Sequence, residues 1–336
     1  MKVAIHAVNV NTGGALVLLN ELLRVISNKN IVVDVYVHTS FNITSLYINE
    51  NINVVRKKNL FMSLFFTKKY NRVLFFGNLP PLVKCKSSIL YIHNAYLVNK
   101  NSKVNNKSFK ELLKNSLLKC YISFFKGNVS LIACQSRTMQ EAFHDYYNYD
   151  ISILPFYNEL YKADLPKKYD FCFVGLPSLH KNHDFLLNCF FNLSNLNVSC
   201  KVALTVPIET RYKNLLEKID HINEIGVVNI DNYGLIPYEK VIDIYYSSRS
   251  LVFPSSLESF GLPLIEAAML DIPVFAPNLD YVNDVIDECN YININDVEDT
   301  VKSMKSYLID SRSFKPARLK AENTFIQRFL HGSLDD

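Results

Sequence analysis

The feature that most constrains this chain is a rhythm. Short apolar runs rich in β-branched and aromatic residues alternate with longer segments of helical periodicity throughout the chain. "KVAIHAV", "IVVDVYV", "NRVLFF", "SSILYI", "VSLIAC" and "ISILPF" mark strands in the first half, with helical stretches such as "GALVLLNELLRVI" between them. The second half repeats the pattern with "YDFCFVG", "SCKVALTV", "EIGVVNI", "SRSLVFP" and "IPVFA", separated by "HDFLLNCFFNL", "IETRYKNLLEKI" and "PYEKVIDIYYSS". Strands that are apolar on both faces and joined by helices build a parallel sheet covered on both sides, so the class is α/β and doubly wound.

A chain of 336 residues exceeds the length at which one hydrophobic core usually stops growing, so two such sheets are expected. The join falls in "YNELYKADLPKKYD" (157–170), where charge, Pro166 and loss of periodicity coincide. The expected division is a Rossmann-like domain over 1–158 and a second over 159–315. A C-terminal helix over 316–336, with Leu319, Phe325, Ile326 and Phe329 as its apolar stripe, could pack on either domain, a return to the first among the options.

Charge is uneven along the chain. Residues 1–160 hold 19 Lys and Arg against 8 Asp and Glu, and the remainder holds 17 against 24. A basic first half suits an anionic surface, either nucleic acid or an anionic membrane leaflet. No nucleic-acid-binding motif accompanies the charge, so nucleic acid is not expected as a partner. The seven cysteines are widely spaced with no Cys-x-x-Cys pair, which fits buried thiols in a reducing compartment. "MKVAIHAVNVNTGG" reads as a strand and a glycine turn, and no apolar run approaches membrane-spanning length, so a cytoplasmic protein is expected.

The densest chemical signal lies in "SLVFPSSLESFGLPLIEAA". A strand ending at Pro254 leads through a loop bearing Glu258 into a helix opened by Gly261 and Pro263, a position where the missing N–H of proline is harmless. Ligands of open α/β sheets bind at such strand ends, where helix N-termini present free N–H groups, here around Phe260, Gly261 and Leu262. From Leu262 to Leu270 the helix is apolar except for Glu266, and a buried carboxylate requires hydrogen-bond donors. A vicinal diol, such as a ribose, supplies two.

Glu258 and Glu266, separated by the seven residues "SFGLPLI" and preceded by "FPSSL", resemble the Glu-x7-Glu motif of the retaining glycosyltransferases of family 4. The similarity extends to "VGLPSLHKN" (174–182) and to "NYGLIPYEKVIDIYYSSRSLVFPSSLE" (232–258), covering most of the second half. Over the first half it is looser, resting on "NTGGA", "YIHNA" and "CQSRTMQEAF".

The resemblance implies a GT-B fold, two Rossmann-like domains facing across a cleft, and transfer of a sugar from a nucleotide diphosphate sugar with retention. It makes Glu266 the ribose ligand and Glu258 a contact to donor-sugar hydroxyls. Lys181 would neutralise the departing diphosphate. Phe260, Gly261 and Leu262 would bind sugar or phosphate oxygens, and the backbone of Gly234, Leu235 and Ile236 would meet the base. From the first domain Gly13 and Gly14 would approach the phosphates, and His93 would face the sugar. Neither a cofactor nor a metal is expected. The family's habit is polysaccharide biosynthesis at the bacterial inner membrane, such as O-antigen or capsule, on a glycan or lipid-linked oligosaccharide acceptor.

One departure stands out. Where the family has Arg after the glycine, this chain has Leu176, and Arg137, His180 and His183 are the candidates to replace that charge. A homologue that binds a nucleotide sugar without turning it over is the alternative that Leu176 keeps open. A dinucleotide-dependent oxidoreductase is disfavoured, because "NVNTGGALVLLN" lacks the Gly-x-Gly-x-x-Gly spacing. Two segments, 56–72 and 107–126, interleave lysines with Phe, Leu and Ile; the pattern suits a peripheral contact with an anionic inner leaflet and, for the second, equally a core helix with a solvated back.

Overall fold

The computed structural model describes residues 1–66, 70–98, 109–163 and 165–333. The chain forms two compact units, one comprising Met1–Asn158 with Glu322–Asp336 and the other Glu159–Ala321.

In chain order the first unit contains β1 (Lys2–His6), α1 (Gly13–Ser27), β2 (Val32–His38), β3 (Ile52–Lys57), α2 (Leu60–Ser63) and β4 (Arg72–Phe75). It continues with β5 (Ser88–Ile92), α3 (Phe109–Phe125), β6 (Leu131–Cys134), α4 (Arg137–Tyr147) and β7 (Ser152–Ile153). The strands form one parallel sheet in the order β3-β2-β1-β4-β5-β6-β7. Its central strands are buried on both faces, as their unbroken Val, Ile and Leu runs require. Strand order reverses between β1 and β4, and the loops after those strands meet there through Asn9 Nδ2, which donates to the Gly77 carbonyl at 2.5 Å.

The second unit contains β8 (Phe171–Phe173), α5 (His183–Asn195), β9 (Cys200–Leu204), α6 (Lys213–Ile225), β10 (Val228–Asn232), α7 (Tyr238–Tyr246) and β11 (Leu251–Val252). It continues with α8 (Leu262–Met269), β12 (Val274–Ala276), α9 (Asp280–Val285), β13 (Ile286–Asp287), β14 (Asn290–Tyr291), α10 (Val297–Ile309) and β15 (Arg318–Leu319). Six of its strands form a parallel sheet in the order β10-β9-β8-β11-β12-β14. An aromatic cluster of Phe171, Phe275, Tyr307 and Phe314 fills one face. This is the 3-2-1-4-5-6 winding, and its switch point lies between β8 and β11.

The C-terminal stretch departs from the expected single helix beginning at 316. Residues up to Ala321 belong to the second unit, because β15 pairs antiparallel with β13 and places Leu319 in a strand. Pro316 disfavours helix at the residue before it, and the N–H groups of Ala317 and Lys320 go to the carbonyls of Ile272 and Val285. The helix is therefore only α11 (Phe325–His331). Thr324 and Phe325 donate to the Pro155 carbonyl at 3.1 Å, and Phe325, Phe329 and Leu330 are buried, so α11 packs on the first unit.

The thiols also differ from expectation at one position. Five cysteines are buried, Cys289 is half-buried and Cys120 on α3 is exposed. Residues 67–69 of the first basic segment and 107–108 of the second lie outside the described residues.

Candidate functional site

At the switch point of the second unit, the loops after β8 and β11 are stitched together. Gly175 has φ +155°, a conformation that favours glycine, and its N–H donates to Thr205 Oγ1 at 2.9 Å. A turn at Leu179–Lys181 follows, then Asn182 with φ 53°. The Asn182 amide donates to the Pro254 carbonyl at 2.8 Å, and the Ser256 N–H donates to the His180 carbonyl at 2.7 Å. These bonds fix Lys181 against the loop that carries Glu258.

The two side chains meet directly. Lys181 Nζ lies 2.5 Å from Glu258 Oε1, with the side chains 16% and 14% exposed. Ser255 Oγ donates to the same carboxylate oxygen at 2.8 Å, and the ammonium sits 4.8 Å from the centre of the Phe253 ring. Two opposite charges are thus held at one strand end, each the other's counter-ion.

Gly261 caps α8 with φ +75°, a left-handed conformation that calls for glycine, and a Cβ there would press on Leu264 Cδ1 at 3.0 Å. Phe260 is buried beside it, Leu262 and Pro263 open the first turn, and the Leu264 N–H already donates to the Gly261 carbonyl at 2.9 Å. One turn on, Glu266 is 6% exposed. Tyr238, the first residue of α7, donates its hydroxyl to Glu266 Oε1 at 2.7 Å. Tyr245, seven residues along the same helix face, places a second buried hydroxyl beside that carboxylate. Burial raises the Glu266 pKa above the ordinary carboxyl value, opposed by the Tyr238 and Tyr245 hydroxyls and the charge of Lys181.

The loop after β10 carries Gly234 at φ +67°. Asn232 ties it down by exchanging hydrogen bonds of 2.8 and 2.9 Å with the backbone of Val206. Beyond it Leu235 is 73% exposed and Ile236 is half-buried. Gly234, Leu235 and Ile236 therefore precede the very helix whose first side chain holds Glu266.

Of the candidates to replace the family arginine, His183 is excluded. It is buried, its ring nitrogen lies 3.3 Å from the Gly175 carbonyl, and burial pushes its pKa down to about 4, so it is neutral near pH 7. His180 sits in the stitched loop with its ring against Ser178 Oγ. Leu176 itself is half-buried and supplies no charge.

The first unit's candidates occupy the ends of their own strands. Gly13 (φ +70°) and Gly14 are exposed at the start of α1 after β1. Arg137 opens α4 after β6, with Nε 3.3 Å from Glu141 on the same helix, both largely exposed. His93 follows β5 and is held by Asn78, whose Oδ1 accepts from the His93 backbone N–H at 2.7 Å while its Nδ2 lies 3.0 Å from Nε2. Because the backbone can only donate, the amide orientation is settled, and Nε2 must be the acceptor. The ring proton is therefore on Nδ1, a buried atom without a partner, and burial lowers the ring pKa to about 4. His93 thus presents a neutral donor.

Sequence reasoning missed Tyr238, Tyr245, Ser255 and Asn78. The first two had a visible signal: two tyrosines seven apart on one helix face, in the βα unit preceding Glu266.

The fold defines the class. The chain has the GT-B glycosyltransferase fold in its two Rossmann-like units. Among solved structures, Anabaena Alr3699/HepE in complex with UDP and glucose matches with a TM-score of 0.66 at 13% identity, covering 94% of this chain and 91% of that one. WaaG, a glycosyltransferase involved in lipopolysaccharide biosynthesis, matches with a TM-score of 0.63 at 13% identity, covering 93% and 96%. Residues 161–324 match the family model described as Glycosyl transferases group 1. The O-antigen chain mannosyltransferase RfbU of Salmonella typhimurium is 25% identical over 212 residues, 59% of this chain and 54% of that protein. O-antigen chain mannosyltransferase B of Escherichia coli is 33% identical over 66 residues, 19% of this chain and 17% of that one. The chain thus spans about half the length of the first of these relatives.

Proposed function

We propose that this protein is a retaining glycosyltransferase of the family 4 type, moving a sugar from a nucleoside diphosphate sugar to a glycan acceptor in surface polysaccharide biosynthesis. The observation that carries the reading is the convergence of Lys181, Glu258 and Glu266 at the switch point between β8 and β11. A diphosphate needs fixed positive charge, which Lys181 and the α8 N-terminus supply without a metal. A ribose diol needs a carboxylate at the depth of Glu266, and donor-sugar hydroxyls need one beside the diphosphate, at Glu258. The acceptor hydroxyl attacks the anomeric carbon on the face from which the nucleoside diphosphate departs, so configuration is retained. In the first unit, Gly13, Gly14 and the neutral donor of His93 stand at their own strand ends. O-antigen mannosyltransferases among the relatives support a polysaccharide product.

Calorimetric titration with UDP, GDP, ADP, dTDP and CMP tests this. One nucleoside diphosphate is expected to bind and to raise Tm. Failure of all five to bind the folded protein overturns the donor site.

A lipid-linked acceptor also belongs to this reading. Among the described residues no helix is long and apolar enough to cross a membrane. The first unit nevertheless exposes Phe61, Met62 and Phe65 at α2 and Leu113, Leu117 and Phe124 on α3. The two helices form one surface, since the Phe61 and Tyr121 rings pack edge to face at 5.9 Å. Lysines accompany these side chains in sequence, the combination that binds an anionic leaflet. The protein is expected to float with phosphatidylglycerol vesicles and not with phosphatidylcholine vesicles, and Leu117→Ser with Phe124→Ser should weaken flotation several-fold. Equal behaviour on both vesicles removes the membrane from the proposal.

A further inference from the structure

We infer that Tyr238 is a positioning residue that sets the preference of the nucleotide site for ribose. The inference rests on the proposed reading of Glu266 as the ribose ligand and deepens it.

An ionised carboxylate has about four lone-pair sites. Tyr238 occupies one, on Oε1. Three remain, enough for the two hydroxyls of a vicinal diol, one on each oxygen. The tyrosine therefore orients the carboxylate without filling it. Its other effect is electrostatic. Glu266 lies in an apolar helix between Ile265 and Ala267, both fully buried, and a charge there persists only with donors around it. Tyr238 is the donor that makes the 2.7 Å hydrogen bond, and Tyr245 adds a second buried hydroxyl beside the same carboxylate.

The position of Tyr238 in the chain adds specificity. It opens α7 directly after the loop of Gly234, Leu235 and Ile236, held by Asn232 to Val206. Any base seated on that loop is joined to the ribose ligand through Pro237 and the Tyr238 hydroxyl. A ligand with the right base and no ribose hydroxyls would gain the first part of the site and leave Glu266 buried beside the tyrosine hydroxyls with nothing else to accept, which is how a polar pocket rejects an analogue lacking the matching group.

The test compares UDP and GDP with their 2′,3′-dideoxy counterparts, titrated into the wild-type protein, Tyr238→Phe and Tyr245→Phe at neutral pH, with Tm recorded for each. The wild type is expected to prefer one ribonucleotide over its dideoxy form by about 100-fold. Tyr238→Phe should weaken that ribonucleotide about 10-fold and leave the dideoxy form unchanged, so the preference shrinks by the same factor. Tyr245→Phe, which leaves the 2.7 Å bond of Tyr238 in place, should change the preference less than Tyr238→Phe does. An unchanged ratio in Tyr238→Phe, equal weakening of both ligands, or tighter ribonucleotide binding overturns the inference while the donor site stands. Absence of binding of either ribonucleotide to the wild type overturns the UDP- or GDP-sugar reading and the inference with it.

Discussion

Lys181→Met is expected to lower kcat for sugar transfer by about 10²–10³-fold, or roughly 3–4 kcal/mol of transition-state stabilisation. The leaving diphosphate gains charge as the glycosidic bond breaks, and with Leu176 in place of the family arginine the side-chain cation at this strand end is Lys181. In the free protein its ammonium neutralises Glu258, and Ser255 completes the shell of that carboxylate. In the proposed mechanism donor binding exchanges this pair: the diphosphate takes the lysine and the sugar hydroxyls take the glutamate. Methionine keeps the length of the stem and removes the charge, so it also strands Glu258. The pair is partly hydrated, so the stability loss should be about 1–2 kcal/mol, below that of a fully buried pair. Adding Glu258→Gln removes the stranded charge and should restore Tm, while activity stays at or below that of Lys181→Met. Unfolding curves and steady-state rates of the two single variants and the double variant separate the roles. If the double variant regains activity, the lysine merely balances Glu258 and the leaving-group role is wrong.

How much of this was legible in the sequence depends on the range of the interaction. The two parallel sheets follow from strand-like and helical runs alternating along the chain, and Lys181, Glu258 and Gly261 were marked by local words around strand ends. Gly261 in particular is a local matter, since its left-handed backbone and its proximity to Leu264 both act within three residues. Contacts between elements were another matter. Tyr238 and Glu266 are separated by 28 positions, and Asn78 and His93 by 15, and no periodicity encodes such pairs. The tail misled for the same reason. Apolar spacing around Leu319 suits a helix, but a partner strand at Ile286–Asp287 takes the backbone instead. On α3 the apolar stripe was readable, whereas its exposure depends on neighbours that the sequence does not name.

Glu266→Gln should do two opposite things: weaken nucleotide binding about 100-fold and raise Tm at pH 7. The first follows from losing an ionised acceptor for two ribose hydroxyls, since an amide offers one oxygen and turns donors toward the diol. The second follows from the direction of the pKa shift. Burial, the largest influence, raises the folded-state pKa of Glu266 above its ordinary value of 4.5, and Tyr238, Tyr245 and Lys181 only partly offset it. The folded protein therefore binds this proton more tightly than the unfolded chain does. Well below the ordinary value both states are protonated and the carboxyl imposes no penalty. As pH rises through the folded pKa the wild type must hold a charge in an apolar helix, and its stability falls relative to the glutamine variant. The gain in Tm of Glu266→Gln should thus be near zero in acid, appear as pH climbs past the ordinary carboxyl range, and level off once Glu266 is ionised in the fold. Thermal unfolding of both proteins between pH 4 and pH 8 gives the curve, and calorimetry at pH 7 gives the affinity. A variant that is less stable at every pH would make Glu266 a structural hydrogen-bond partner of Tyr238, and retained nucleotide affinity would remove it from the site. A carboxylate that costs stability and yet is built into the middle of α8, with a tyrosine aimed at it, is what the proposed ribose site calls for.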